Sequence, residues 1–177
     1  MERMGRADWP RGQAARFTML PGSVYPRSQE RVNVFVVDDH PLVRQGLALV
    51  LEQGGFAVCG EADGIQATLD HPALSYSQVV VLDISLEKAS GVDLIPVLCR
   101  RGLRVVVYSM HEDPAVVRRA LGTGATGYVT KREAAQSLAH AIRTVAAGST
   151  YISPRAAAAC AADGTNPGPG SPDKLSG

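Results

Sequence analysis

This sequence predicts an α/β domain with a parallel sheet covered on both faces, and three observations predict it. Apolar, β-branched runs alternate with helix-period stretches five times between Arg31 and Tyr151. The central runs are apolar throughout, so both of their faces need burial. Aromatic residues make up 5% of the chain against 45% hydrophobic residues, which leaves Val, Leu, Ile and Ala to fill the core. With 177 residues the chain is long enough for one such domain and tails.

The first strand is read at Val32-Asn33-Val34-Phe35-Val36-Val37 and runs into Asp38 and Asp39. Leu42 to Leu51 follows as a helix, with Leu42, Val43, Leu47, Val50 and Leu51 on its apolar side and Gly54-Gly55 closing it. Phe56-Ala57-Val58-Cys59 is a weaker strand, and Gly64 to Leu69 a short helix. Gln78-Val79-Val80-Val81-Leu82 is a strong strand ending in Asp83. After Gly91, Val92 to Leu98 reads as a helix that Pro96 kinks or shortens. Arg104-Val105-Val106-Val107-Tyr108 ends in Ser109, and Asp113-Pro114 then opens a helix as N-cap and first helical residue, running to Leu121. Tyr128-Val129-Thr130 is a short strand ending in Lys131. Glu133 to Ala147 is the best amphipathic helix, with Leu138, Ala141, Ile142 and Val145 as its stripe.

The flanks differ from this middle. Residues 1–30 are Arg-containing, punctuated by Pro and Gly, and read as a flexible leader; no apolar run with a small-residue cleavage site marks a secretory signal. From Ser153 to Gly177 an alanine run gives way to Gly164-Thr165-Asn166-Pro167-Gly168-Pro169-Gly170, which reads as a linker. The expected domain therefore covers residues 31–152. A net charge of +1 argues against a broad nucleic-acid or membrane-surface binder, and no stretch approaches the ~18 apolar residues of a membrane span. Cys59, Cys99 and Cys160 form neither a disulfide framework nor a zinc motif, which fits a reducing cytosol.

The polar residues that matter stand where strands end. Asp38 and Asp39 follow the first strand, Asp83 the third, Ser109 the fourth and Lys131 the fifth. In an open parallel sheet the carboxyl ends share one edge and ligands bind there, so these five converge. Taken singly, each also fits an ordinary cap or turn residue. Taken together they describe a chemistry. Carboxylates ~4 Å apart repel by about 4 kcal/mol per pair at an effective dielectric near 20, and an all-oxygen set of this kind suits Mg²⁺. A carboxylate can act as nucleophile on phosphorus, with a lysine and a hydroxyl holding the phosphoryl oxygens. Phosphoryl transfer onto Asp83 is the reaction this set can perform.

At these residues the chain resembles the response-regulator receiver family, in its NarL/FixJ (LuxR-type) branch. The matching segments are Val34 to Arg44, Val80-Val81-Leu82-Asp83 with Gly91, Val107-Tyr108-Ser109, Gly127-Tyr128-Val129-Thr130-Lys131, and the closing Gly148 to Pro154. The resemblance implies a flavodoxin-like (CheY-like) five-stranded sheet in order 2-1-3-4-5. It implies Asp83 as phosphoacceptor and Mg²⁺ held by Asp38, Asp39, Asp83 and the backbone carbonyl of Ser85. Ser109 takes the hydroxyl role, Lys131 pairs with the phosphate, and Tyr128 is the aromatic whose rotation accompanies movement of Ser109. The implied partners are a sensor histidine kinase and a second copy of the chain, with readout through the fourth helix, fifth strand and fifth helix, or through the first and fifth helices for a dimer. It implies a cytoplasmic signalling protein, not a turnover enzyme.

Two positions depart from the family pattern. Glu87 stands four residues after Asp83 where proline is frequent, and Arg132 follows Lys131 where proline, often cis, is common. Without that proline the loop is expected in trans or under strain, which bears on how far Lys131 reaches. Ser171 to Gly177 resembles the stretch preceding a LuxR-type helix-turn-helix, so control of transcription would run through an output domain that this sequence does not contain. The competing readings are a phosphorylation-independent receiver acting by protein contact, a Mg²⁺-dependent phosphatase and a flavin module. The phosphatase needs Asp-x-Asp after the first strand, where here the aspartates are adjacent. The flavin module needs a Ser/Thr-rich phosphate loop where Asp38-Asp39-His40-Pro41 stands.

Overall fold

A computed structural model describes residues 31–87 and 89–164. The expected leader and the Gly/Pro-rich end of the expected linker lie outside the described residues. The apolar runs form strands β1 (Asn33–Val37), β2 (Ala57–Ala62), β3 (Val79–Leu82), β4 (Arg104–Ser109) and β5 (Gly127–Thr130). They pair in parallel in the order 2-1-3-4-5. A sixth strand, β6 (Tyr151–Ile152), extends the sheet beyond β5, where five were expected. Two residues are too few to show a period in sequence. Hydrogen bonds from Tyr151 N to the Thr126 carbonyl (3.0 Å) and from Ser153 N to the Tyr128 carbonyl (2.8 Å) hold it there.

Side chains alternate across the sheet, and each face has its own core. Val34, Val36, Val79, Val81, Val106 and Val129 meet Leu47 and Leu51 of α1 (Pro41–Gln53) and Leu138, Ala141, Ile142 and Val145 of α5 (Ala135–Ala146). Phe35, Val37, Val80, Leu82, Val105, Val107 and Tyr128 face the other way. They are covered by α2 (Ile65–Asp70), α3 (Ile95–Arg100) and α4 (Pro114–Gly122), through Ile65, Leu69, Ile95, Leu98, Val117 and Ala120. This is the two-sided burial that unbroken Val runs demand.

Local chemistry and packing set where each helix starts and which side it buries. Asp113 caps α4, accepting from Ala115 N at 2.7 Å, with Pro114 in the first turn as expected. Pro96 does not kink a helix; the segment begins as a 3₁₀ turn (Gly91–Leu94) and Pro96 falls in the first turn of α3, where a missing N–H leaves no bond unmade. Leu42, expected on the apolar side of α1, is 81% exposed, because the buried stripe narrows to Leu47 and Leu51. The alanine run expected as linker begins with a helix, α6 (Pro154–Ala162), whose Ala156 and Cys160 are buried with residues of α4 and β5. Alanine is the best helix former, and a face of small side chains lets this one lie close against its neighbours.

Candidate functional site

Register decides what meets at the carboxyl edge. Val37 pairs with Leu82, so the residues that follow, Asp38 and Asp83, leave the sheet side by side. Ser109 pairs with Thr130, which sets Lys131 beside the end of β4. The ladder continues one residue past the strands. Asp83 N donates to the Val37 carbonyl (2.8 Å), Lys131 N to the Ser109 carbonyl (2.8 Å) and Asp38 N to the Ala62 carbonyl (3.2 Å). These bonds fix the backbone of each functional residue before its side chain is considered.

Lys131 stands at the centre. Its Nζ donates to Asp38 Oδ2 and to Asp83 Oδ2, both at 2.6 Å. Asp38 is 1% and Asp83 4% exposed. Burial alone lowers the Lys131 pKa, yet its hydrogen bonds to the two aspartates and their charge outweigh that effect and hold it above the usual 10.5. The remaining carboxylate oxygens are mostly committed to backbone. Asp38 Oδ1 accepts from His40 N (2.8 Å), Asp83 Oδ1 from Ser85 N (2.9 Å) and Asp39 Oδ2 from Glu87 N (2.7 Å). Asp39 Oδ1 is buried without a hydrogen bond, although His40 Nδ1 lies 2.8 Å away as a possible charge partner.

This donor set fits a hard cation. Lys131 pairs with two of the three carboxylates, so formal negative charge is left over, and the buried Asp39 Oδ1 accepts no hydrogen bond. Ligand atoms of Asp38, Asp39 and His40 lie within 4.8 Å of one another. Asp83 is joined to this group through Lys131, and Ser85 opens a two-strand hairpin (Ser85–Leu86 with Ala89–Ser90) two residues further on. All peptide bonds are trans among the described residues, including that after Lys131, and the lysine still reaches both aspartates.

Ser109 is fully buried, and its Oγ accepts from His111 N at 3.3 Å. The Tyr128 hydroxyl donates to the His111 carbonyl at 2.9 Å. The backbone of one residue, His111, thereby joins the two residues expected to act as a switch. Burial pushes the Tyr128 phenol up to about 12, with the nearby Ser109 hydroxyl pulling the other way.

Two contributors have no role assigned in the sequence reading. Arg44 donates from its guanidinium to the Asp38 carbonyl at 2.6 Å and lies 3.7 Å from Glu61. A cation one turn into a helix opposes the helix dipole, and that local misfit is the sequence signal that it has a partner. At Gly91 a Cβ would lie 2.5 Å from the Asp83 carbonyl oxygen and 2.7 Å from Ile84 Cα. Only glycine lets this loop pack against the backbone of Asp83.

The fold and the acidic edge define a receiver. A family model described as "Response regulator receiver domain" matches residues 34–143, and the chain belongs to that family. The chain is 36% identical over 138 residues to the transcriptional regulatory protein UhpA of Salmonella typhimurium, covering 77% of this chain and 69% of that one. A LuxR-family two-component response regulator from Aurantimonas superposes with a TM-score of 0.71 at 29% identity, over 75% of this chain and 97% of the other. The isolated receiver of RcsB from Salmonella enterica, solved with the phosphomimetic BeF₃⁻, superposes with a TM-score of 0.66 at 26% identity, over 73% and 98%. Other curated regulators that the chain matches are spanned over 56–63% of their length.

Proposed function

We propose that this chain is the receiver of a transcription regulator and accepts a phosphoryl group on Asp83 from a sensor histidine kinase. The observation that carries the reading is the half-buried Lys131 joining the buried Asp38 to the buried Asp83 at the carboxyl edge of the sheet. An Asp83 carboxylate oxygen forms the bond to phosphorus as the donor's bond to it breaks, and the leaving group departs with that electron pair. Lys131, already at Asp83, is placed to move its ammonium from carboxylate to phosphoryl oxygen. Ser85 N–H, on Asp83 Oδ1, orients the nucleophile. The Ser109 hydroxyl is a further donor once it leaves its contact with His111.

Asp38, Asp39, Asp83 and the Ser85 carbonyl are the groups that would hold Mg²⁺. When bound, the ion neutralises charge on the phosphoryl oxygens. Among the described residues no helix is long and apolar enough to cross a membrane. A homodimer through α1 and α5 is supported by Leu42 and Leu49, 81% and 61% exposed on α1. DNA binding would belong to an output domain.

The test is the intact mass of the chain after incubation with Mg²⁺ and acetyl phosphate. One phosphoryl group is expected on the wild type and none on Asp83→Asn. A folded wild type that gains nothing removes the proposal in favour of a phosphorylation-independent interaction module.

A further inference from the structure

The chemistry at Asp83 makes no use of α6, yet α6 is seated over the residue proposed to move. Ala156 and Cys160 are both 0% exposed and share one buried cluster with Tyr128, Val117 and Ala120. The ends of α6 are tied to the domain. Ser153 N donates to the Tyr128 carbonyl (2.8 Å), Arg155 N to Glu133 Oε1 (2.8 Å), and Arg118 of α4 meets Asp163 at 2.9 Å. Between those ends the seat is made of alanine and cysteine, whose small apolar area gives a modest hold.

Two further observations mark this seat as adjustable. Thr130, two residues after Tyr128 on the same face of β5, buries its Oγ1 with no hydrogen-bond partner, an imperfection at the border of α6. Its backbone N–H reaches the Ser153 hydroxyl only at 3.4 Å. On its other side Tyr128 is tied to the reaction site. Its hydroxyl holds the His111 carbonyl, and His111 N holds Ser109. A displacement of Ser109 toward Asp83 gives up its contact with His111 N and so frees the residue whose carbonyl anchors Tyr128, while Cys160 and Ala156 belong to the same buried cluster as the Tyr128 ring.

We propose that α6 is a strap over Tyr128 whose seating is coupled to phosphorylation of Asp83, so that the phosphorylated chain holds α6 down more firmly. The α4–β5 face is then occupied first by the chain's own C-terminal segment, and the residues after Asp163 receive the signal through α6. Coupling of this kind is reciprocal, so seating of α6 also favours the phosphorylated state. The phosphorylation arm rests on the receiver reading; the cover over Tyr128 does not.

Peptide-resolved alkylation of the full chain by iodoacetamide tests this, with Cys59 and Cys99 as internal references on β2 and α3. With Mg²⁺ and acetyl phosphate, Cys160 is expected to react about fivefold more slowly than without donor, while the references stay unchanged. Tyr128→Ala removes what α6 sits on and should speed Cys160 by about tenfold with the donor effect gone. Tyr128→Phe keeps the cover and loses the bond to His111, so Cys160 stays slow while the donor effect disappears. A Cys160 rate that is unchanged or faster in samples whose mass shows phosphorylation overturns the proposal. If no phosphoryl group appears, the receiver reading has failed, and the strap then stands or falls on whether Tyr128→Ala exposes Cys160. If Tyr128→Ala speeds all three cysteines together it has unfolded, and Tyr128→Phe decides: a donor effect surviving in that variant overturns the coupling.

Discussion

Replacing Lys131 with methionine removes the cation between two carboxylates while keeping most of the side chain's volume. Both hydrogen bonds are 2.6 Å long, Asp38 and Asp83 are nearly inaccessible, and the lysine side chain itself is only 13% exposed, so solvent screens the loss weakly. Breaking a buried pair from one side costs about 3–5 kcal/mol, because the partner is left charged and unpaired. Some relaxation toward water at the edge places the expectation at about 3 kcal/mol, or roughly 6–12 °C in melting temperature for a domain of this size. The assay is urea and thermal unfolding by circular dichroism at pH 7.5 with EDTA. The Lys131 pKa is raised in the folded chain, since the two aspartates outweigh burial. Its contribution is therefore fully present below about 10.5 and fades as pH rises through the folded value, so wild type and variant should converge at high pH. A variant within about 0.5 kcal/mol of wild type at pH 7.5 would show that the carboxylates do not depend on the lysine.

Gly91→Ala drives a Cβ into the Asp83 carbonyl and Ile84 Cα, neither of which can swing aside. It should destabilise the domain by about 1–3 kcal/mol in urea and slow phosphorylation of Asp83; an unaffected variant would show that the loop yields. Ser109→Ala removes a proposed hydrogen-bond donor to the phosphoryl oxygens and should slow acetyl-phosphate labelling by on the order of 10²-fold at unchanged stability, read from a mass-spectrometric time course. In an ultraviolet titration Tyr128 should ionise only near 12, and Tyr128→Phe should remove that late component. Because that pKa is raised, the tyrosine's contribution to stability is complete below about 10 and lost as pH climbs toward 12.

What could be read from the sequence, and what could not, follows from the range of the interactions involved. The apolar runs of β1, β3 and β4 required burial on both faces, and the two-sided helical cover supplies it. The Asp113-Pro114 cap is a local signal and reads correctly from two adjacent residues. The stripe of α5 is long enough for its period to show, and its four named residues are the buried ones. Leu42 is different. Its exposure depends on how α1 leans on the sheet, which a single helix's pattern does not encode. The strand β6 and the helix α6 were missed for a related reason. Two residues of strand and a face of alanine carry little hydrophobic contrast, and both take their place from contacts with β5 and α4. At the site, the residue types and their strand-end positions were legible. The bridging position of Lys131, the His111 backbone between Ser109 and Tyr128, and the support of Arg44 beneath Asp38 depend on distances across the sheet.

Asp83, and neither Asp38 nor Asp39, is the carboxylate proposed to take the phosphoryl group. Borohydride trapping reads this directly, because it converts an aspartyl phosphate to homoserine at the modified position. After treatment with Mg²⁺ and acetyl phosphate, followed by borohydride and peptide sequencing by mass spectrometry, homoserine is expected at position 83 alone. Homoserine at position 38 or 39, or at none of the three in a folded chain, would rule out Asp83 as the acceptor.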